Sequence, residues 1–359
     1  MPQSARIPNI PRLTLASAAL FSPRLDFLLT SGLSMIVVGG LILWSLVQGG
    51  FGQGYAAPDT LGKLLLLQVL INWPHFMVSY WVLYTNRNAW RDYPGATVVV
   101  PMLLLAVAYA SSFPALGGNG VNALGLGAAT AIWILAGLYL AWHYTGQTWG
   151  VMMSFAHLSG LKLSSAERLV LRNGLRVMVG WHVVWGVQTL APLPLVGVLQ
   201  TSAAMMVANV LAVLAFAAGA IALFVAARRT GAIDLRIIGA WLVLYMWYLL
   251  LFLWPEAYLI VQLSHALQYL GFPLRLEMNR RDSARRTLKL AGIYSFCVGL
   301  GLIVFMLPSH FVVDATKPSF LAILGVLINI HHYYTDSAIW KLRKASVSSG
   351  LFGHVKTLN

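Results

Sequence analysis

Two adjacent histidines and an aspartate, His331, His332 and Asp336, lie within the apolar stretch 325–343. Hydrocarbon is a poor environment for ionisable groups, so such side chains inside a membrane are expected to pair with one another or with a ligand. On an α-helix, Asn329, His332 and Asp336 are spaced i, i+3 and i+7, so they share one face. We interpret that face as one wall of a metal site.

Histidines also occur in three other apolar runs, at His75, His143 and His265. At a helical rise of 1.5 Å per residue, His75, His265 and His332 lie about 14 to 18 Å along their helices from the next basic residues. Because these depths agree, we expect four helices to present imidazoles at one level, in the inner half of the bilayer.

Imidazole and carboxylate groups at helical spacing are the donors with which helix bundles hold di-iron and di-manganese centres. The predicted ligand set consists of His75, His143, His265, His331, His332 and Asp336. The side chains predicted to act in catalysis, as extra ligands, hydrogen-bonding neighbours or proton carriers, are Asp336, His331, Gln147 and Gln268. The single cysteine, Cys297, excludes a thiolate site within one chain. We expect one or two iron ions, with zinc, copper or a bis-histidine haem as alternatives.

The composition is that of a membrane protein. Of the 359 residues, 59% are hydrophobic and 9% are charged, whereas a soluble domain has about 25% charged residues. The 24 Lys and Arg against 10 Asp and Glu give a formal charge of +14. These basic residues lie in short loops between apolar runs, where cytoplasmic orientation and anionic lipid headgroups account for them. A lipid bilayer is therefore the expected partner, and nucleic acid is not.

Ten apolar runs approach the roughly 20 residues that a helix needs to cross the bilayer. They cover 27–47, 61–84, 96–112, 123–155, 172–190, 202–227, 237–254, 257–274, 288–307 and 320–340. Every second loop is basic, which places both termini in the cytoplasm. The sequence thus predicts an all-α, polytopic bundle at 27–343, an interfacial leader at 1–26 and a cytoplasmic tail at 344–359. A bacterial inner membrane is the expected location.

Several features also have a purely structural interpretation. A single membrane histidine more often donates a hydrogen bond between helices than binds a metal, and we interpret His182 in this way. Trp340, at the end of a span, is expected to be an interfacial anchor. Other aromatic side chains, including Tyr80, Tyr269 and Tyr333, are expected to line a substrate channel or to donate hydrogen bonds to the ligands.

In size, number of spans and number of intramembrane histidines, the chain resembles the bacterial membrane carotene-cleaving dioxygenases and, more distantly, the membrane fatty-acid desaturases and hydroxylases. The nearest features to the paired histidines of the desaturases are His143 with Gln147 and His332 with Asp336. The resemblance implies non-haem iron chemistry with dioxygen.

Three functions from different classes follow. The first is a metal-dependent membrane oxidoreductase or oxygenase acting on a lipophilic small molecule, with an electron-donor protein as a further partner. The second is a bis-histidine haem protein that passes electrons or handles haem. The third is a proton- or ion-coupled transporter, in which the buried polar side chains form the pathway.

Overall fold

The computed structural model describes residues 12–48, 58–112, 123–189, 194–280, 286–309 and 320–355, and nearly all of them are helical. The α-helices are α1 (Pro23–Phe27), α2 (Leu33–Gln48), α3 (Pro58–Leu67), α4 (Trp73–Tyr84), α5 (Ala89–Asp92), α6 (Val100–Ser112), α7 (Ala123–Leu158), α8 (Ser165–Thr189), α9 (Ser202–Thr230), α10 (Leu235–Leu253), α11 (Tyr258–Asn279), α12 (Arg286–Ser309), α13 (Phe320–Ile339) and α14 (Ala345–Phe352). Short π-helical turns occupy Leu28–Gly32, Gln68–Asn72 and Gly95–Val99, and 3-10 helices occupy Pro194–Gln200 and Pro255–Ala257. The predicted all-α class is confirmed.

Each of the ten predicted spans coincides with a helix or with helices joined by a π-helical turn. Pro273 lies inside α11 without ending it, and α7 continues through Gly146. Four helices of the described chain are long and apolar enough to cross a membrane: Pro23–Val47, Ser202–Thr230, Leu235–Leu253 and Arg286–Met306. These four helices indicate a membrane protein. Residues 1–11 of the predicted leader and 356–359 of the predicted tail lie outside the described residues.

The chain divides into two compact units. Unit 1 comprises Met1–Gly52, Tyr144–Ser264 and His354–Asn359, and unit 2 comprises Gln53–His143 and His265–Gly353. The helices α7 and α11 therefore contribute residues to both units.

In unit 1, α8 packs along α9, and α10 packs against α2. Two short strands, β1 (Arg12–Thr14) and β2 (Ala232–Asp234), pair in parallel, with Arg12 opposite Ala232. The buried Arg236 guanidinium forms ion pairs with Asp26 and Asp234. Residues 12–26, predicted as a leader, are thus hydrogen-bonded to the segment that begins α10.

In unit 2, α4 packs against α12 and α13, and α13 also packs against α6. The close approach of α4 to α12 requires a glycine, because a Cβ added to Gly301 would lie 2.8 Å from Cβ of Trp73. Small residues allow this kind of contact between membrane helices. Phe76, Tyr269, Cys297 and Tyr333, from four different helices, form the adjoining buried core.

The start of α4 is shaped by Pro74, which directly precedes His75. A proline has no N–H to donate to the carbonyl one turn earlier, which here is that of Leu70. The hydroxyl of Tyr294 donates to this oxygen at 2.6 Å. The π-helical turn Gln68–Asn72 lies immediately before α4, and such turns often mark functional sites. Local backbone chemistry thus fixes the position from which His75 projects.

Candidate metal centre

Three histidines and one aspartate converge in unit 2. His75 comes from α4, His143 from the unit 2 part of α7, and His332 and Asp336 from successive turns of α13. One ligand atom from each residue lies within 4.8 Å of all the others, and all four side chains are buried. Ionisable groups are rarely buried together in this way without a partner, so the group is a candidate metal centre.

The distances between donor atoms are close to those of one coordination shell. Nε2 of His75 lies 3.1 Å from Nε2 of His332, whereas two ligands of one ion with bonds of about 2.1 Å lie roughly 2.9 to 3.4 Å apart. Oδ2 of Asp336 lies 3.6 Å from Nε2 of His332 and 3.9 Å from Nε2 of His143. A shift of about half an ångström would therefore bring the carboxylate to bonding distance.

The hydrogen-bond partners of these atoms also fit a cation. Among the described residues, Oδ2 of Asp336 has no hydrogen-bond partner. A buried acceptor left without a donor costs about 1 to 3 kcal/mol, and more if it is charged. The Nε2 atoms of His75 and His332 face each other, so one must donate to the other unless both lone pairs point at a positive ion. Neutral imidazoles and one carboxylate would leave a buried negative charge, which a divalent ion would compensate.

The other oxygen of Asp336 is held by a hydrogen-bond network. The hydroxyl of Tyr269 donates to Oδ1 at 3.1 Å. Nε1 of Trp340 in turn donates to the Tyr269 oxygen at 2.7 Å, and Oγ of Ser79 lies 2.7 Å from the same oxygen. Partners of this kind orient ligands and tune their basicity. The network therefore fixes the carboxylate with Oδ2 directed towards the histidines.

Sequence reasoning missed two members of this network. Ser79 was not considered, and Trp340 was expected to be an interfacial anchor, although its indole N–H donates to Tyr269. Both carry a helical signal, because Ser79 follows His75 by four residues and Trp340 follows Asp336 by four. Spacing from a predicted ligand could thus have identified them.

His265 lies beside the four-residue group without belonging to it. Its ring centroid is 5.0 Å from that of His75 and 4.8 Å from that of His143. Gln268, three residues later on α11, is completely buried. Gln147 follows His143 by four residues on α7 and belongs to unit 1. The ring contacts of His265 therefore place it against two of the ligands.

His331 points away from the group that contains its neighbour. Its Nε2 donates to the carbonyl of Ala96 at 2.7 Å, and its Nδ1 lies 3.2 Å from the hydroxyl of Tyr80. Adjacent residues on a helix are about 100° apart around the axis, so the side chains of His331 and His332 contact different neighbours. The structure does not bring His331 together with the other predicted ligands.

Aromatic rings enclose the imidazoles. The ring of Tyr333 stacks on His143 at 4.7 Å between centroids, and the ring of Phe76 lies 4.3 Å from that of His332. Both aromatic residues are buried. They shield the histidines from water, which strengthens electrostatic interactions at the site.

Comparison of the chain with protein-family models, with curated proteins and with solved structures finds no match.

Proposed function

We propose that the protein is a membrane-embedded, metal-dependent oxidoreductase that holds a single iron ion and acts on a lipophilic substrate. The observation that carries the proposal is the buried group of three imidazoles and one carboxylate, drawn from three helices. Zinc and copper are the next candidates, since imidazole suits all three metals and a carboxylate favours the harder ones.

The ligand count supports one ion with open positions. Four donor atoms within 4.8 Å of one another surround a space for one ion, whereas paired ions lie about 3.5 to 4 Å apart and need more ligands. Iron usually accepts more than four ligands, so the site leaves room for dioxygen or substrate. When bound, such an ion supplies Lewis acidity and the capacity to exchange electrons with dioxygen.

The surrounding residues would have separate tasks. His75, His143 and His332 present neutral lone pairs, and Asp336 adds the negative charge. Tyr269, which donates to Asp336, keeps the carboxylate in one orientation. Apolar helices long enough to cross a membrane favour a substrate that enters from the bilayer. Cleavage by a dioxygenase needs no further electrons, whereas hydroxylation or desaturation takes two electrons from a donor protein.

The geometry favours a non-haem site over a bis-histidine haem. Two axial imidazoles must hold the iron between them, which separates their ligand nitrogens by about 4 Å. The facing nitrogens of His75 and His332 are only 3.1 Å apart.

Metal content and an optical spectrum test the proposal. Protein purified in detergent is expected to contain one iron per chain without a Soret band, and His332→Ala is expected to lose the metal. His157→Ala, at an exposed position of unit 1, is the control and is expected to keep it. A Soret band would replace the proposal by haem binding. Metal-free wild type that rebinds none would favour a proton pathway or a structural network.

Activity is tested with iron-loaded protein under dioxygen, with and without a chemical reductant that replaces the electron donor, and supplied with a carotenoid or with an acyl lipid. Oxygen consumption and product mass are measured for wild type and for His332→Ala. Oxygen-containing or desaturated products that depend on His332 would support an oxygenase. Tight iron binding with neither oxygen uptake nor product from either lipid class would overturn the enzymatic part and leave a metalloprotein.

We infer that ten helices cross a bacterial inner membrane, with both termini in the cytoplasm. The alternation of basic and uncharged loops supports this topology. Because Cys297 is the only native cysteine, Cys297→Ala provides a background for single cysteines placed in successive loops. Labelling of intact cells by an impermeant maleimide is expected at every second loop. Labelling of neighbouring loops from the same side would disprove it.

A further inference from the structure

Unit 2 contains a cavity of about 390 Å³ between four of its helices. Met77, Tyr80 and Tyr84 of α4 line one wall, and Leu104, Val304 and Leu327 represent α6, α12 and α13. The volume falls within the range of about 300 to 1,000 Å³ that is typical of small-molecule sites. Since Tyr84 is 50% exposed, the cavity reaches the molecular surface at its end of α4.

The lining is almost entirely hydrocarbon. Of the described residues that line the cavity, none is Lys, Arg, Asp or Glu, and only Tyr80, Tyr84 and His331 carry polar side-chain atoms. An ionic headgroup inside the cavity would therefore be desolvated without a partner of opposite charge, which is strongly unfavourable. This chemistry suits an uncharged, apolar chain.

The polar atoms of two of these residues are already hydrogen-bonded to the protein. The hydroxyl of Tyr80 donates to the carbonyl of Ile328 at 3.0 Å and lies 3.2 Å from Nδ1 of His331. Nε2 of His331 donates to the carbonyl of Ala96 at 2.7 Å. Because protein groups already occupy the Tyr80 hydroxyl and Nε2 of His331, the buried part of the cavity recognises a ligand mainly by shape and apolar contact.

The cavity shares two helices with the candidate metal centre. On α4, His75 belongs to the metal group, while Met77 and Tyr80 face the cavity. On α13, His332 belongs to the metal group, while its neighbour His331 lines the cavity. A chain lying in the cavity would thus contact two of the three helices that hold the ligands.

We propose that this cavity binds a single uncharged hydrocarbon chain, of fatty-acyl or isoprenoid type, which enters laterally from the bilayer. The inference names the substrate class of the proposed oxidoreductase and rests on that function for its catalytic meaning. Binding of the chain itself requires no metal, so the two proposals can fail separately.

Fluorescent polyene probes test the inference. Retinol represents the isoprenoid class and the uncharged methyl ester of parinaric acid the acyl class, and each is titrated into purified metal-free protein. Val304→Trp fills the cavity and is expected to weaken saturable binding at least tenfold. Ile303→Trp, at a neighbouring position of α12 that is 61% exposed, is the matched control and is expected to bind as wild type does.

A second pair of variants protects the test against misfolding of Val304→Trp. Leu105→Trp changes another lining residue of the cavity, and Leu103→Trp changes a residue of the same helix that is 60% exposed. Saturable binding of either probe, lost only in the lining variants, supports the inference and identifies the chain type. No saturable binding of either probe, or equal binding by lining and control variants, overturns it.

Metal analysis of the same samples separates the two proposals. Val304→Trp is expected to retain wild-type metal content, whereas His332→Ala is expected to lose metal and still bind the probe. A variant series in which metal binds normally but no probe binds would reject the cavity proposal alone. Probe binding without any metal site would reject the proposed oxidoreductase alone.

Discussion

The two units each bury a cluster of ionisable side chains, and the clusters differ in how far the protein itself satisfies them. In unit 1, Arg236 lies between Asp26 and Asp234, and all three side chains are completely buried. In unit 2, His75, His143, His332 and Asp336 are buried together. One cluster contains its own counter-charge, and the other presents electron-pair donors to a common point.

Every charged atom of the unit 1 cluster has protein partners. The Asp26 carboxylate accepts from the backbone N–H groups of Leu20 and Phe21 as well as from Arg236. The Asp234 carboxylate accepts from the backbone and guanidinium of Arg236. Such a saturated network leaves nothing for a ligand to bind, so its role is to fasten the segment before α1 to the start of α10.

The unit 2 cluster lacks this completeness. Among the described residues, Nδ1 of His75, Nδ1 of His332 and Oδ2 of Asp336 have no hydrogen-bond partner. Proteins usually satisfy buried polar groups, and the exceptions often mark a functional site. Burial of charge alone therefore does not identify a site, whereas buried electron-pair donors that converge without a counter-charge, as in unit 2, indicate one.

The largest effect is expected on breaking the saturated cluster. Arg236→Met leaves two buried carboxylates without their cation, and removal of one partner from a buried ion pair costs about 3 to 5 kcal/mol. We expect a large drop in the thermal unfolding temperature of the detergent-solubilised protein. Arg228→Met, at an exposed position of α9, is the control. Equal unfolding temperatures for Arg236→Met and wild type would show that this ion-pair network does not stabilise the fold.

The next largest effect on the free energy of unfolding is expected at the unit 2 cluster, and it should depend on metal. Saturation with an ion at a thousand times its Kd stabilises the wild type by about 4 kcal/mol. Asp336→Asn removes the charged ligand, so we expect little or no stabilisation of this variant. Without metal, the variant should be at least as stable as wild type, because a buried negative charge is gone.

Denaturant titrations with and without Zn²⁺, a redox-inert probe, measure both effects for Asp336→Asn. A metal-independent loss of several kcal/mol in this variant would show that Asp336 is a structural residue of the same kind as Asp234. That outcome would remove the contrast between the two clusters.

A smaller effect, on metal affinity, is expected at Tyr269, which contacts a predicted ligand without being one. Tyr269→Phe removes the hydroxyl that donates to Oδ1 of Asp336, and loss of such a partner typically weakens metal affinity about 10- to 100-fold. Tyr248→Phe is a matched control, because Tyr248 is also buried and its hydroxyl has no hydrogen-bond partner among the described residues. Metal titrations that give the same Kd for both variants would exclude a supporting role for Tyr269.

Local patterns in the sequence predicted the helices and most of the candidate site. Apolar length located the helices, and ionisable side chains inside apolar runs pointed to His75, His143 and His332. Helical spacing placed His332 on the face of Asp336, but it could not show which group His331 would meet on its own face. Here the carbonyl of Ala96, 235 residues earlier in the chain, occupies Nε2 of His331.

Long-range pairing also explains why the N-terminal segment was placed outside the bundle. Asp26 is separated from Arg236 by 210 residues, and nothing in the local composition of either segment reveals the other. The same holds for β1 and β2, which are only three residues long each. The sequence therefore predicted features that lie within one helix. It did not predict which distant residue pairs with a buried charge.

The smallest effect is expected for an ion pair that remains accessible to solvent. In unit 1, Glu167 accepts from the guanidinium of Arg229, whose side chain is 43% exposed. The Glu167 carboxylate also accepts from the backbone N–H of Ser164. In return, the Ser164 hydroxyl accepts from the backbone N–H of Glu167. This reciprocal pair is a capping box at the start of α8. Glutamine can replace glutamate in such a box, so Glu167→Gln isolates the charge.

Hydrogen bonding to Arg229 lowers the pKa of Glu167 below its ordinary value. A carboxylate with a lowered pKa stabilises the fold above its ordinary pKa, and the stabilisation disappears as the pH falls through the lowered value. We expect Glu167→Gln to cost about 0.5 to 1 kcal/mol at neutral pH, as for a partly exposed pair, and nothing at the acidic end. Unfolding midpoints of both proteins between neutral and acidic pH would measure this convergence. A constant difference in stability across that range would mean that Glu167 acts through the helix cap and not through its charge. Its contribution would then resemble that of neither buried cluster.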